Sequence, residues 1–244
     1  MFVVEGGCAE TGGTELRLLK KIFSDILGYE VQELRRGCDE FIGHGSNSWS
    51  RVFALNLPKN QLTQMTDDAL NALYRRLHEE FNIKPEECPI CYLYDRDYLS
   101  YRPNALRGRY VSRYTNPYGD DEGNLGQLLL SYPAVESYRM SCIQDNVYQQ
   151  SYFLGRDLKS VVENMGFSSE DVELEEHLIH AALEMDKGLD AFGLGQYALD
   201  DLKPTLLGVY DFQQGKHRSD GTFSLFSLIS MALIESGVIV ECED

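Results

Sequence analysis

The carboxylates best placed for chemistry lie in "CYLYDRD", residues 91–97, where a short apolar run ends in Asp95 and Asp97. Side chains at alternate positions of an extended chain point to the same side, so both carboxylates can face one ligand. Neighbouring carboxylates repel each other unless a cation lies between them, and oxygen ligands suit Mg²⁺ or Mn²⁺. A D-x-D pair is also common at polar strand ends, where both aspartates are simply solvated. The pair therefore indicates a metal site only if further groups join it.

Glu5 is the first such group, because it follows the apolar run "MFVV" and precedes two glycines that let the backbone approach a ligand closely. A glutamate in that position can move a proton during phosphoryl transfer or complete a metal shell. The alternative is an exposed glutamate at a strand end. Glu5, Asp95 and Asp97 together form a more specific combination than any one of them alone.

The pattern around these residues predicts the elements that bring them together. The predicted strands are "MFVVE", "YEVQELRR", "RVFALNLP" and "PICYLYD", and the predicted helices are "ELRLLKKIFSDILG" and "TDDALNALYRRLHEEFNI". Thr14 and Thr66 are the expected N-caps, and "GCDEFIGHGSNS" is expected to form a loop or an edge excursion. The order β-α-β-β-α-β predicts an α/β fold with a mostly parallel sheet flanked by helices. Ligands of such sheets bind at the carboxyl ends of the strands, so Glu5, Asp95 and Asp97 are expected to meet there.

The rest of the chain is expected to be mainly helical, so that residues 121–244 form an extension packed on a core of residues 1–120. The segment "NLGQLLLSYPAVESYRMS" predicts a helix that is broken or redirected near Pro133. Two further helices are predicted from "SSEDVELEEHLIHAALEMDKGLDAFG", which is strongly acidic, and from the apolar "SLFSLISMALIESG".

A glutamate after the first strand and a D-x-D after a later strand resemble the TOPRIM (topoisomerase-primase) domain, and "FVVEGG" and "CYLYDRD" carry this resemblance over the first hundred residues or so. The chain looks more like the OLD-type (overcoming lysogenization defect) TOPRIM nucleases and prokaryotic antiviral effectors than like topoisomerases. The resemblance implies that Glu5 is catalytic and that Asp95 and Asp97 bind Mg²⁺ or Mn²⁺. It also implies a nuclease that cuts DNA or RNA, with tRNA among the candidates, and an ATPase or sensor protein as partner.

Two positions are candidates for additional metal ligands. Family members often carry a second acid a few residues after the first, and both Glu10 and Glu15 compete for that role, with Glu15 favoured because it begins the helix. Glu136, in "SYPAVESY", follows an apolar run and a proline, which suggests a partly buried carboxylate that needs a partner or a metal. A glutamate on a helix surface is the alternative for Glu136.

The segment that follows Asp97 is basic and aromatic. Residues 98–118 contain no acid, five tyrosines and four arginines: Arg102, Arg107, Arg109 and Arg113. Guanidinium groups bind phosphate bidentately and tyrosine rings stack on unpaired bases, so these arginines are candidate contacts for a nucleic-acid substrate. The alternative is a basic loop that pairs with residues 157–201, which hold twelve acids and only Lys159 and Lys187 as bases.

The overall composition limits the other function classes. A net charge of −17 disfavours binding of nucleic acid over the whole surface, although a local basic track remains compatible with it. No apolar run is long enough to span a membrane, and the amino-terminal sequence does not look like a secretory signal. Six cysteines fit reduced thiols, so a cytoplasmic protein is expected, with homo-oligomers as an option. The alternative function is a non-catalytic, acidic interaction subunit of a larger complex.

We expect Glu5→Ala, Asp95→Ala and Asp97→Ala each to abolish metal-dependent cleavage of nucleic acid without unfolding the protein, because a lost ligand removes transition-state stabilisation. Arg107→Ala or Arg109→Ala is expected to keep cleavage while weakening substrate binding and reducing the slope of log affinity against log salt by about one. Cleavage assays and salt titrations on variants with native circular dichroism test both expectations. Full activity of the carboxylate variants would contradict the metal site.

Overall fold

The computed structural model describes residues 1–4, 13–34, 37–44, 50–56, 66–96, 103–121, 123–164 and 175–239. Glu5, Glu10, Asp97 and Arg102 lie outside these ranges. The chain divides into two compact units, of which the first contains residues 1–94 and 116–128 and the second contains residues 95–115 and 129–244. The sequence indicated one boundary between residues 120 and 121, and that boundary stays a prediction.

The first unit contains the strands and helices that the amino-terminal pattern predicts. Its elements are β1 (Phe2–Val4), α1 (Thr14–Lys20), β2 (Glu30–Glu33), β3 (Cys38–Ile42), β4 (Arg51–Asn56), α2 (Asp67–Phe81) and all but the last residue of β5 (Cys91–Asp95). A π-helical turn, Lys21–Ile26, continues α1, and a 3₁₀ turn, Pro85–Glu87, precedes β5. The strand order is β2-β3-β4-β1-β5.

Strand β1 is the centre of this unit because it pairs in parallel with both β4 and β5. Phe2 lies opposite Ala54 on one side and Cys91 on the other, and Val4 lies opposite Asn56 and Leu93. The strand is buried, as its uninterrupted apolar sequence predicts for a parallel strand covered on both faces. Parallel pairing also places the carboxyl ends of β1 and β5 at the same edge, which the predicted grouping of acids requires.

One of the two N-caps predicted from the sequence is confirmed. Thr66 Oγ1 accepts a hydrogen bond from the Ala69 amide at 3.2 Å, so Thr66 is the N-cap of α2 as predicted. Helix α1 begins at Thr14, but its N-cap is Gly13, so the predicted cap at Thr14 is wrong by one residue. Gly28 follows the helix with φ of +68°, a left-handed conformation that suits a residue without a Cβ.

For "GCDEFIGHGSNS", expected to be a loop or an edge excursion, the loop alternative is wrong over the first half, because residues Cys38–Ile42 form the regular strand β3. This strand pairs antiparallel with both β2 and β4. Cys38 and Phe41 are fully buried, and Phe41 packs 5.3 Å from the Phe23 ring. The charged residues between Cys38 and Phe41 interrupt the apolar pattern, so the sequence alone did not indicate a strand here. Because β3 pairs antiparallel with both neighbours, the sheet is mixed at this edge.

The second unit contains most of the helices. Its elements are α3 (Pro103–Leu106), α4 (Glu136–Ser141), β8 (Ser151–Tyr152), α5 (Gly155–Asn164), α6 (Glu175–Ala191), α7 (Lys203–Asp220), β9 (Phe223–Ser224), β10 (Phe226–Ser227) and α8 (Ile229–Glu235). A π-helical turn, Arg107–Val111, follows α3, and a 3₁₀ turn, Val147–Gln149, precedes β8. Two strands, β6 (Thr115–Asn116) and β7 (Gly126–Tyr132), contain residues of both units.

The prediction of a helix around Pro133 is wrong for the residues before the proline, which form the fully buried strand β7. A short, largely apolar run such as "LLLSY" fits a buried strand as well as a helix, and its length of only five residues favours the strand. Helix α4 follows the proline, as the second half of the prediction requires.

The acidic helix is confirmed as α6, and the apolar carboxyl-terminal helix is confirmed only in its second half, as α8. The fold class is thus confirmed as α/β, with parallel central strands and flanking helices.

The end of β5 is held by a buried arginine. Arg96 is 0 % exposed, its guanidinium lies 5.7 Å from the centre of the Phe223 ring, and its backbone amide donates to Ser131 O at 2.8 Å. The Phe223 ring also stacks on His217 at 4.7 Å. The residue between the two predicted metal ligands therefore points into the core of the second unit.

No helix within the described ranges is both long enough and apolar enough to cross a membrane.

The pKa of His217 should lie below its usual value of 6.5, because burial and then repulsion from Arg96 disfavour the protonated ring. The unfolded chain then binds more protons than the folded one as the pH falls below about 6.5, so the free energy of unfolding should decrease there. We expect His217→Phe, which keeps the ring stacking, to lose this contribution, and Arg96→Met to raise the pKa of His217. Urea unfolding at several pH values and NMR titration of His217 measure these effects. A pKa of His217 at or above 6.5 in the unmodified protein would contradict the arrangement.

Candidate functional site

Two of the acids predicted to bind metal, Asp95 and Glu136, line one cavity in the second unit. The cavity has a volume of about 230 Å³. Its other lining residues include Ala134, Gly155, Arg156 and Lys159. Asp95 and Glu136 are far apart in sequence, and the structure brings them together with two basic side chains.

Asp95 is positioned by the end of β5 and by the turn before α4. Its Oδ1 accepts a hydrogen bond from the backbone amide of Val135 at 2.7 Å. Val135 immediately precedes α4, where a backbone amide has no partner within the helix. This bond links the strand that carries Asp95 to the helix that begins with Glu136.

Glu136 is 2 % exposed, yet its Oε1 makes no hydrogen bond with any described residue. The Lys159 ammonium lies 3.5 Å from this oxygen and is half exposed. A buried carboxylate oxygen without a hydrogen bond is destabilising unless a cation is close to it, and the Lys159 ammonium is such a cation. A hard divalent cation also prefers carboxylate oxygens, so Asp95 and Glu136 are suitable ligands for one.

The basic wall of the cavity comes from the first turns of α5. A Cβ on Gly155 would lie 2.7 Å from the Ala134 Cβ, so only glycine lets the helix approach the turn before α4 this closely. Arg156 and Lys159, in those turns, have side chains 79 % and 49 % exposed, so both heads can move in solvent. Buried Leu158 and Val162 anchor the same helix against Met140 of α4. Two exposed cationic side chains and two carboxylates thus line the same cavity.

Of the other predicted acids, the structure describes only Glu15, and Glu15 does not line this cavity. Glu15, the second residue of α1, is buried in the first unit, whereas the lining residues belong to the second. Glu5, Glu10 and Asp97 lie outside the described residues, so their roles stay predictions.

The predicted substrate arginines have different surroundings. Arg107 forms a bidentate ion pair with Asp211, with both nitrogen-to-oxygen distances at 2.7 Å, and it lines a separate cavity. Arg109 is exposed on the π-helical turn after α3. Arg113 lies over the Tyr114 ring at 5.8 Å. Arg102 is outside the described residues, and contact of these four arginines with nucleic acid stays a prediction.

Sequence reasoning missed a second group of possible metal ligands, formed by Asp145, His180 and Glu184. The spacing of His180 and Glu184, four residues apart on one helix face, was the available signal. The Lys187 ammonium already lies 2.8 Å from Glu184 Oε1 and 3.7 Å from Asp145 Oδ1. Glu184 Oε2 accepts from the Val147 amide at 3.1 Å, so this group is neutralised and hydrogen-bonded by its own chain.

No protein-family model matches the chain, and no curated protein or solved structure matches it either. The function is therefore inferred from the residues that line the cavity.

We expect Mn²⁺ to raise the melting temperature through the Asp95–Glu136 cavity. At an Mn²⁺ concentration of 100 times Kd, the expected stabilisation is about 2.7 kcal/mol, or about 5–10 °C for a chain of this size. Glu136→Gln should remove the shift because it removes a ligand charge, whereas Asp145→Asn should retain it. Thermal unfolding with and without Mn²⁺ measures this, and loss of the shift in Asp145→Asn alone would assign the ion to the other group.

Proposed function

We propose that this protein is a metal-dependent nuclease that hydrolyses phosphodiester bonds of DNA or RNA in the Asp95–Glu136 cavity. The observation that carries the proposal is the presence of two carboxylates and two exposed cationic side chains around one cavity of about 230 Å³. Metal-dependent phosphodiester hydrolysis uses both kinds of group, because carboxylates hold the metal near the phosphate and cationic side chains neutralise the charge of the phosphate.

The chain's own groups divide this work. Asp95 and Glu136 would hold Mg²⁺ or Mn²⁺, which polarises a phosphoryl oxygen and activates water when bound. The Lys159 ammonium lies 3.5 Å from Glu136 Oε1 and is half exposed, so it would neutralise part of the charge of a phosphate bound in the cavity. Arg156 at the mouth of the cavity offers a bidentate contact to the same phosphate.

The charge distribution supports a selective rather than a general affinity for nucleic acid. The net charge of −17 repels phosphate over most of the surface, while Arg156 and Lys159 attract it locally. Glu5 as the proton-transferring residue, Asp97 as a further ligand, and an ATPase or sensor partner are parts of the same proposal that rest on the TOPRIM resemblance.

The second candidate function, an acidic interaction subunit, is favoured by the surface of α6. This helix exposes Ile179 and Leu183 at 45 % and 53 %, one turn apart, among its acidic residues. An exposed apolar pair on an acidic helix is typical of a docking surface. One effector can have both a docking helix and a nuclease cavity, so the exposed apolar pair on α6 does not argue against the nuclease. If no cleavage is found, this pair supports the interaction subunit as the function.

The test is incubation of the protein with plasmid, single-stranded DNA and total tRNA, with Mg²⁺, Mn²⁺ or EDTA. We expect cleavage of at least one substrate with metal and none with EDTA. Glu136→Gln should lower the rate by about 100-fold or more, because loss of one charge-stabilising group costs roughly 3 kcal/mol in the transition state. Lys159→Met should raise the Km for substrate more than it lowers kcat, because its exposed ammonium contacts the phosphate.

Glu163→Gln is the matched control, since Glu163 is exposed on α5, the helix that carries Lys159. It should cleave at the unmodified rate. If Glu136→Gln is folded and cleaves as fast as Glu163→Gln, the cavity is not the active site.

A further inference from the structure

A second cavity of the second unit lies between α3 and one face of α7. Its volume of about 670 Å³ is in the range of sites for small organic molecules. The lining residues that matter here are Asn104, Arg107, Tyr210, Asp211, Gln214 and Arg218. None of its lining residues belongs to the Asp95–Glu136 cavity.

The charge around this cavity is positive in an otherwise acidic chain. Arg107 and Arg218 line it together with a single carboxylate, Asp211. Arg96 adds a guanidinium behind Tyr210: burial raises the pKa of Tyr210, and the charge of Arg96 and a hydrogen bond from it oppose that rise. Three guanidinium groups against one carboxylate favour an anionic ligand.

The guanidinium fork of Arg107 is already held in the geometry of an oxyanion complex. Its Nε and Nη2 donate to the two oxygens of Asp211, each at 2.7 Å. A phosphate offers the same pair of oxygens with more charge. Both side chains are about half exposed, and exposed ion pairs contribute little to stability, so a phosphate can displace Asp211 readily.

Gln214 is an independent observation that points to a ligand at this cavity. It is 5 % exposed, and its Nε2 has no hydrogen-bond acceptor among the described residues. A buried amide donor without an acceptor is destabilising. Arg218, one turn further along α7, donates from Nε to the backbone carbonyl of Gln214 at 3.3 Å, which positions its guanidinium along the helix.

We propose that this cavity binds a small phosphate monoester, with the phosphate on Arg107 and Arg218 and the organic part against Tyr210 and Gln214. The proposal does not rest on the nuclease function, because it needs neither the metal nor Asp95 and Glu136. The monoester can be a free nucleotide or the 5′-phosphate of a nucleic-acid strand.

The test is calorimetric titration of the full chain with AMP, at low salt and in EDTA. We expect AMP to bind and adenosine to bind at least about tenfold more weakly, because adenosine lacks the charge that the arginines contact. Arg107→Gln and Arg218→Gln should each weaken AMP binding about tenfold or more. Asp211→Asn should strengthen it, because the competing carboxylate is gone.

The gain of affinity in Asp211→Asn keeps the test valid even if an arginine variant is poorly folded, since misfolding does not strengthen binding. Arg75→Gln, an exposed arginine of α2, is the matched control and should bind AMP normally. Equal affinity for AMP and adenosine, or an AMP affinity that Asp211→Asn lowers, would overturn the proposal.

A 5′-phosphorylated hexanucleotide and its unphosphorylated counterpart distinguish the two sources of the ligand. Tighter binding of the phosphorylated strand than of AMP would identify a nucleic-acid end as the ligand. Binding of AMP with equal and weak binding of both strands would identify a free small molecule. Because all titrations contain EDTA, their failure is distinct from a failure to cleave.

Discussion

The backbone amide of Val135 donates a 2.7 Å hydrogen bond to Asp95, and the geometry of the candidate site depends on this contact. It ties the last residue of β5 to the residue before Glu136. Arg96, the next residue, is buried against Phe223. Because successive side chains of an extended chain point to opposite sides, the Asp95 carboxylate points to the side opposite Arg96. A change at this strand end therefore moves both carboxylates of the cavity together.

Two buried glutamates of the second unit show why this cavity, and not every acidic group, is the candidate site. Glu184 receives hydrogen bonds on both oxygens, from Val147 and Lys187, so its charge is stabilised within the fold. Glu136 has a lysine 3.5 Å from its Oε1 but no hydrogen bond there. The first arrangement stabilises the carboxylate by itself, whereas in the second a bound cation would supply the contact that Glu136 Oε1 does not make within the described residues.

The sequence predicted the elements whose signal is local. The apolar runs of β1 and β5 and the Thr66 cap of α2 were sufficient to locate those elements. The strands β3 and β7 were not predicted, because a strand interrupted by charges resembles a loop and a continuous apolar run resembles a helix. Their assignment depends on pairing with neighbours, which a single segment does not reveal.

The candidate site was predictable to a similar extent. Asp95 and Glu136 could be named from their positions after apolar runs, because such positions place acids at the edge of a core. Arg156 and Lys159 could not be named in this way, because in the sequence they look like ordinary polar residues on a helix surface. Only the structure shows that the close contact of Gly155 with Ala134 places their helix, α5, beside the acids. The pairing of Arg107 with Asp211 was equally hidden, because it joins residues 104 positions apart.

The central claim is that Asp95 and Glu136 share one cation, and iron-mediated cleavage of the protein's own backbone tests it most directly. Fe²⁺ bound in place of Mg²⁺ generates hydroxyl radicals in the presence of ascorbate and peroxide, and these cut the nearest peptide bonds. The account predicts cuts next to both Asp95 and Glu136, mapped by mass spectrometry, that excess Mg²⁺ suppresses. Cuts confined to the surroundings of Asp145 and Glu184, with none near Glu136, would contradict it.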